Sequence, residues 1–100
     1  MLDLPGEADI PTNGTLSRVL YSDEQVRLVL FAFDEGQELT DHAAGSPAVV
    51  QVVSGRFRLT LGGEVVEADA RAWVHMPAGL DHSVLALEPG HLLLTLLRGG

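Results

Sequence analysis

Between Arg56 and Glu67 the chain reads RFRLTL, then Gly62–Gly63, then EVVE. Two glycines between alternating runs mark a tight β-hairpin, because both central positions can take the positive φ angles that such turns require. This unit commits its segment to antiparallel sheet, and the rest of the sequence follows suit. Runs rich in Val, Leu and Phe recur, broken by Gly, Pro, Asp and Ser clusters, and helical periodicity is hard to find. The pattern predicts strands over Thr15–Tyr21, Gln25–Phe33, Ala48–Val53, Arg56–Leu61, Glu64–Glu67, Ala72–Met76, Ser83–Leu87 and His91–Leu97. Many short strands at even spacing point to an all-β sandwich or small barrel. Residues 1–14 read as an arm that pairs at a sheet edge or stays loose, and residues 15–100 as one domain.

Composition removes several function classes. Cysteine is absent, which excludes disulfides, thiolate zinc sites and cysteine nucleophiles. Fourteen carboxylates stand against six arginines and no lysine, a formal charge of −8. Nucleic acid and anionic membranes are therefore not expected as partners, since phosphate binding needs clustered positive charge. Lysine Schiff-base chemistry is excluded outright. The start, MLDLPGEADIP, has neither the basic nor the apolar part of a signal peptide, and no apolar run approaches a membrane span. A cytoplasmic protein is expected.

Two segments interrupt the strand-and-turn pattern: Gly36 to Pro47, a polar stretch carrying His42, and the turn Pro77–Asp81, followed by His82. Gly36, His42 and Gly55 on one side, and Pro77, Gly79 and His82 as Pro-x-Gly-x-x-His on the other, resemble the two motifs of the cupin superfamily. The resemblance runs from Gln25 to Leu97. It implies an all-β fold, the double-stranded β-helix barrel. It also implies metal ligation through His42 and His82. The family's second histidine would fall at Ala44 and its glutamate at Ala48, while the second motif's opening glycine falls at Arg71 and its asparagine at Ala86. Two imidazoles alone make a weak site for a divalent ion such as Zn, Fe, Mn or Ni.

His75 is the best third ligand candidate, and Asp41 and Asp81 each precede a histidine closely enough to ligate or to orient it. Gln51 has the wrong parity if Ala48 points inward. The pocket is expected to use Ala44, Ala48, Val50, Trp73 and His75 as its ligand-binding wall. For Trp73, packing in the core with its N–H bonded competes with a role as a substrate platform. His91, after Pro89–Gly90, reads as a solvated turn residue. Arg56 and Arg58 share one face of their strand, either inward as a carboxylate clamp or outward against Glu64 and Glu67.

Two functions follow from these residues. One is a small-molecule pocket with a weakly held divalent metal; if it is an enzyme, the family's dioxygenase, isomerase and lyase chemistries are implied. The other is a metal-free ligand-binding barrel of sensor type. The runs VRLVLFAF and HLLLTLL are apolar at both parities, so their outer faces call for cover, and a homodimer is expected.

Overall fold

The computed structural model describes residues 4–41 and 46–97. Among them are nine strands: β1 (Thr15–Ser22), β2 (Val26–Phe33), β3 (Glu38–Asp41), β4 (Ala48–Ser54), β5 (Arg56–Leu61), β6 (Glu64–Asp69), β7 (Trp73–Met76), β8 (His82–Ala86) and β9 (Gly90–Leu97). A single 3-10 turn, Leu4–Glu7, precedes them. The strands form a five-stranded sheet in the order β1-β2-β9-β4-β7 and a four-stranded sheet in the order β3-β8-β5-β6. All pairings are antiparallel.

The core lies between the sheets and is set by the period of two along each strand. In β4, Ala48, Val50 and Val52 are buried, while Gln51 lies on the other face. In β5, Phe57 and Leu59 are buried, and Arg56 and Arg58 are exposed between them. Arg56 pairs with Glu67 at 3.8 Å and Glu88 at 3.4 Å, so the outward arrangement of the two arginines holds. Phe33 and Phe57, both fully buried, meet edge to face at 5.4 Å and join the sheets at one end of the core.

At that same end the β4–β5 corner crosses the start of β9. A Cβ on Gly55 would lie 2.6 Å from the Pro89 carbonyl oxygen and 2.8 Å from the Gly90 Cα, and Gly55 holds φ at 82°. Only glycine fits both the crossing and the dihedral. The hairpin foreseen at Gly62–Gly63 forms, with Leu61 opposite Glu64.

Three features depart from the sequence reading. The stretch expected as loop after Gly36 contains a strand, β3, paired with β8 from Glu38↔Leu85 to Asp41↔His82. ELTD has only Leu39 to place inward, so its own alternation is silent and the partner strand holds it. Over its described residues, 4–14, the N-terminal arm neither joins a sheet edge nor stays loose. It crosses the outer face of the five-stranded sheet, where Ala8 packs on Leu30 and Ala32.

His91, expected in solvent, is the third departure and the pin of that contact. It is buried, its Nε2 lies 2.7 Å from the Ala8 carbonyl oxygen, and its Nδ1 lies 2.8 Å from Ser54 Oγ. A carbonyl only accepts, so Nε2–H donates to Ala8, while Nδ1 and the Ser54 hydroxyl share the second hydrogen bond. The arm is tied a second time by Asp34, whose Oδ2 accepts from the Asn13 amide at 2.7 Å and whose Oδ1 accepts from the Glu35 amide at 2.8 Å. These bonds, Asn13 first, hold the Asp34 carboxyl below the usual value of 3.8.

Candidate functional site

The end of the core away from Phe33 and Phe57 carries the polar side chains. Its key element is the turn Pro77-Ala78-Gly79-Leu80, closed by a hydrogen bond from the Leu80 amide to the Pro77 carbonyl at 3.3 Å. Gly79, at φ 84°, supplies the left-handed third position that a type II turn demands. The Gly62 amide donates to the Asp81 carbonyl at 2.8 Å, which fastens this turn to the β5–β6 hairpin. β8 therefore begins in a fixed register, with His82 opposite Leu61 on one side and Asp41 on the other.

His82 has the same parity as buried Val84 and Ala86 and is half-buried between the sheets. Its Nδ1 lies 3.2 Å from the Leu80 carbonyl oxygen. In the tautomer whose Nδ1–H donates to that oxygen, Nε2 is the acceptor nitrogen of the ring. His82 lines a cavity of about 40 Å³ with Phe31, Leu39, Val50, Met76, Val84, Leu92 and Leu94. That volume is far below the ~300–1,000 Å³ of sites that enclose drug-sized ligands. A larger depression of about 660 Å³, bordered by Gly55, Asp69, Arg71 and Glu88, is shallow and lies at the other end of the fold. Its mixed charges are solvated, so the enclosed cavity is the better site.

Of the residues expected to form the pocket, Val50 lines the cavity beside His82, and Ala48 is buried in the row next to it. His42 and Ala44 lie outside the described residues. Trp73 and His75 do not reach the interior. Met76 and Val74 take the inward positions of β7, which turns Trp73 and His75 out, and Trp73 is 59% exposed. Trp73 is thus neither core nor interior platform. Asp81 is exposed. Among the described residues no group of three His, Asp or Glu side chains could hold a metal ion. The described donors therefore do not fit a complete metal centre; His82 is the one imidazole among them that faces the core.

One inward polar residue escaped the sequence reading. Arg27 pairs with Leu96, Leu96 with Ala48, and Ala48 with Met76, and cross-strand partners share a face. Arg27 therefore stands in the inward row, at the His82 end. It is half-buried, and its Nε is buried without a hydrogen-bond partner among the described residues. VRLVLFAF is apolar at both parities, which hid the arginine's direction; its even spacing from Phe31 and Phe33 was the available signal.

No protein-family model matches the chain, and no curated protein matches it. Solved structures do. A conserved protein of unknown function from Streptococcus pyogenes is 30% identical, with a TM-score of 0.92 over 100% of this chain and 88% of that one. An RmlC-like cupin from Shewanella frigidimarina is 26% identical, with a TM-score of 0.81 over 91% of this chain and 81% of its own. A cupin superfamily protein from Desulfitobacterium hafniense shares the fold at 18% identity, with a TM-score of 0.92 over 98% and 90% of the two chains. The chain belongs to the cupin superfamily. Its two sheets are the double-stranded β-helix of that fold. In this cupin the motif glycines Gly36, Gly55 and Gly79 hold positive φ, and so does Arg71, where the second motif's opening glycine would fall, at 84°. The position of the family's glutamate ligand fares differently, since Ala48 is a core residue, as is Ala86 at the second motif's asparagine position. No helix among the described residues is long and apolar enough to cross a membrane.

Proposed function

We propose that this cupin binds a small molecule at the His82 end of its interior, and that a divalent cation there is held by His42 and His82 alone and exchanges readily. The observation that carries the reading is His82 itself: a half-buried imidazole, oriented by the Leu80 carbonyl, on the wall of an otherwise apolar cavity. A bound divalent ion would supply Lewis-acid polarisation of a ligand oxygen. The protein's own part is to orient the imidazole and to keep water from the apolar wall.

Elemental mass spectrometry of protein purified without tag or chelator tests this, beside a His42→Ala/His82→Ala double variant. Substoichiometric metal that dialysis against a chelator removes, and that the variant lacks, is expected. Metal retained by the variant overturns the assignment. The apolar lining also favours a second reading, a metal-free binding barrel. Absence of uptake from zinc, iron, manganese and nickel would select it.

The outer face of the five-stranded sheet bears on assembly. Beyond the cover of the N-terminal arm it presents Trp73, Val49, Leu93 and Leu97, with Trp73 59% and Leu97 38% exposed. A second copy of the chain covering this face accounts for so much apolar surface on one sheet. Sedimentation equilibrium should give a dimer that Trp73→Glu dissociates; a wild-type monomer at micromolar concentration would refute it.

A further inference from the structure

We propose that the ligand of this site is a short monocarboxylate, its carboxyl group bound by the Arg27 guanidinium and its apolar body seated in the cavity beside His82. The inference rests on the pocket reading above and goes beyond it by naming the ligand's chemistry.

Arg27 is out of place unless something meets it. Arg18 is engaged by the Glu7 carboxylate and carbonyl, Arg56 by Glu67 and Glu88, and Arg58 and Arg71 are exposed. Arg27 alone among the described arginines turns toward the core, and its buried Nε has no hydrogen-bond partner among the described residues. A buried charged donor left unpaired is costly, and a planar fork of N–H groups matches a carboxylate bidentately.

The neighbouring surfaces define the rest of the molecule. The inward rows run from Phe31–Leu92 through Val29–Leu94–Val50 to Arg27–Leu96–Ala48–Met76, so Arg27 stands in the row of Met76, next to the row of Leu94 and Val50, and these three line the cavity. A head group on Arg27 would direct an attached chain toward Phe31, Val50 and Val84. The cavity, about 40 Å³, admits only a short chain. One guanidinium compensates one negative charge, and the net charge of −8 opposes more. Phosphate esters and diacids are disfavoured on that ground, and a monocarboxylate is selected.

Titration calorimetry and ligand-detected NMR with acetate, propionate, butyrate and isobutyrate test this, against butyramide and butanol as uncharged counterparts. Wild type should bind one of the acids in preference to the matching amide. Arg27→Gln should lose about tenfold or more of that affinity, Arg27→Lys should fall between, and Arg58→Gln, on the outer face, should match wild type. Thermal melting adds a readout that a structural arginine would move the other way. Removing an unpaired buried donor should leave Arg27→Met as stable as wild type or more so. A clear loss of stability in Arg27→Met makes the arginine structural and overturns the inference. Equal binding of butyrate and butyramide, unchanged in Arg27→Gln, overturns it while leaving the pocket intact. Failure of every probe, charged and neutral, to bind wild type overturns the pocket and the inference together.

Discussion

Gly36 and Gly55 offer an informative comparison, because both hold φ at 82° in very different surroundings. A Cβ at Gly36 would meet nothing within 4 Å, whereas at Gly55 it would press on the Pro89 oxygen at 2.6 Å and the Gly90 Cα at 2.8 Å. Gly36→Ala therefore carries the dihedral penalty alone, about 1–2 kcal/mol, partly offset by a stiffer unfolded chain. Gly55→Ala carries the same penalty plus overlap with main-chain atoms, which have no rotamer through which to retreat. Overpacking of this kind costs about 1–3 kcal/mol more. For a domain of this size each kcal/mol moves Tm by about 4–8 °C, so the Gly55 variant should melt roughly 4–24 °C below the Gly36 variant. Circular dichroism melts and urea midpoints on both variants measure the difference. Equal melting temperatures would refute the claim that the corner crossing, rather than the dihedral, fixes glycine at position 55.

Three further outcomes are expected. Arg71→Gly should raise stability by up to about 1 kcal/mol, since an arginine held at φ 84° bears a strain that glycine does not; an unchanged or lower urea midpoint would count against it. His91→Leu should free the arm by removing the donor to the Ala8 carbonyl, a loss of about 1–3 kcal/mol, read as faster hydrogen exchange over residues 8–14 with little change in β4. Asp34 has a folded-state pKa below its unfolded value, so its contribution is present above about pH 4 and fades as pH falls through the lowered value. Wild type and Asp34→Asn should therefore converge in urea midpoint toward pH 2, and a gap that stays constant with pH would contradict this.

The strands were legible where alternation or continuous apolar runs announced them, and the core residues Phe57, Leu59, Val50 and Val52 follow from parity alone. β3 was not legible, because Glu38–Asp41 has one inward apolar side chain and owes its extension to β8. Trp73 was expected in the core or on the pocket wall and lies on neither. The parity of Val74 and Met76 already turned it outward, and an edge strand leaves such a side chain uncovered. His91 was misread because the turn before it looked exposed, and only the arm crossing the sheet buries it. At the site, the Pro-x-Gly-x-x-His pattern located His82, since the pattern is itself the turn that positions the ring. Arg27 stayed hidden because its facing depends on a register four strands wide, from β2 to β7.

The position of β9 between β2 and β4 has a consequence for synthesis. The ribosome releases β2 and β4 long before residues 90–97 emerge, and until then each keeps an unpaired apolar edge where β9 will lie. The five-stranded sheet cannot close from its N-terminal side while the chain grows; it waits for an insertion at its centre. Folding is then a late, concerted event governed by distant pairings, and slow for a chain of this length. The hazard in the interval is a β9 segment from a neighbouring chain taking the vacant place, so expression yield should depend on chain concentration more steeply than the stability of the finished barrel would suggest.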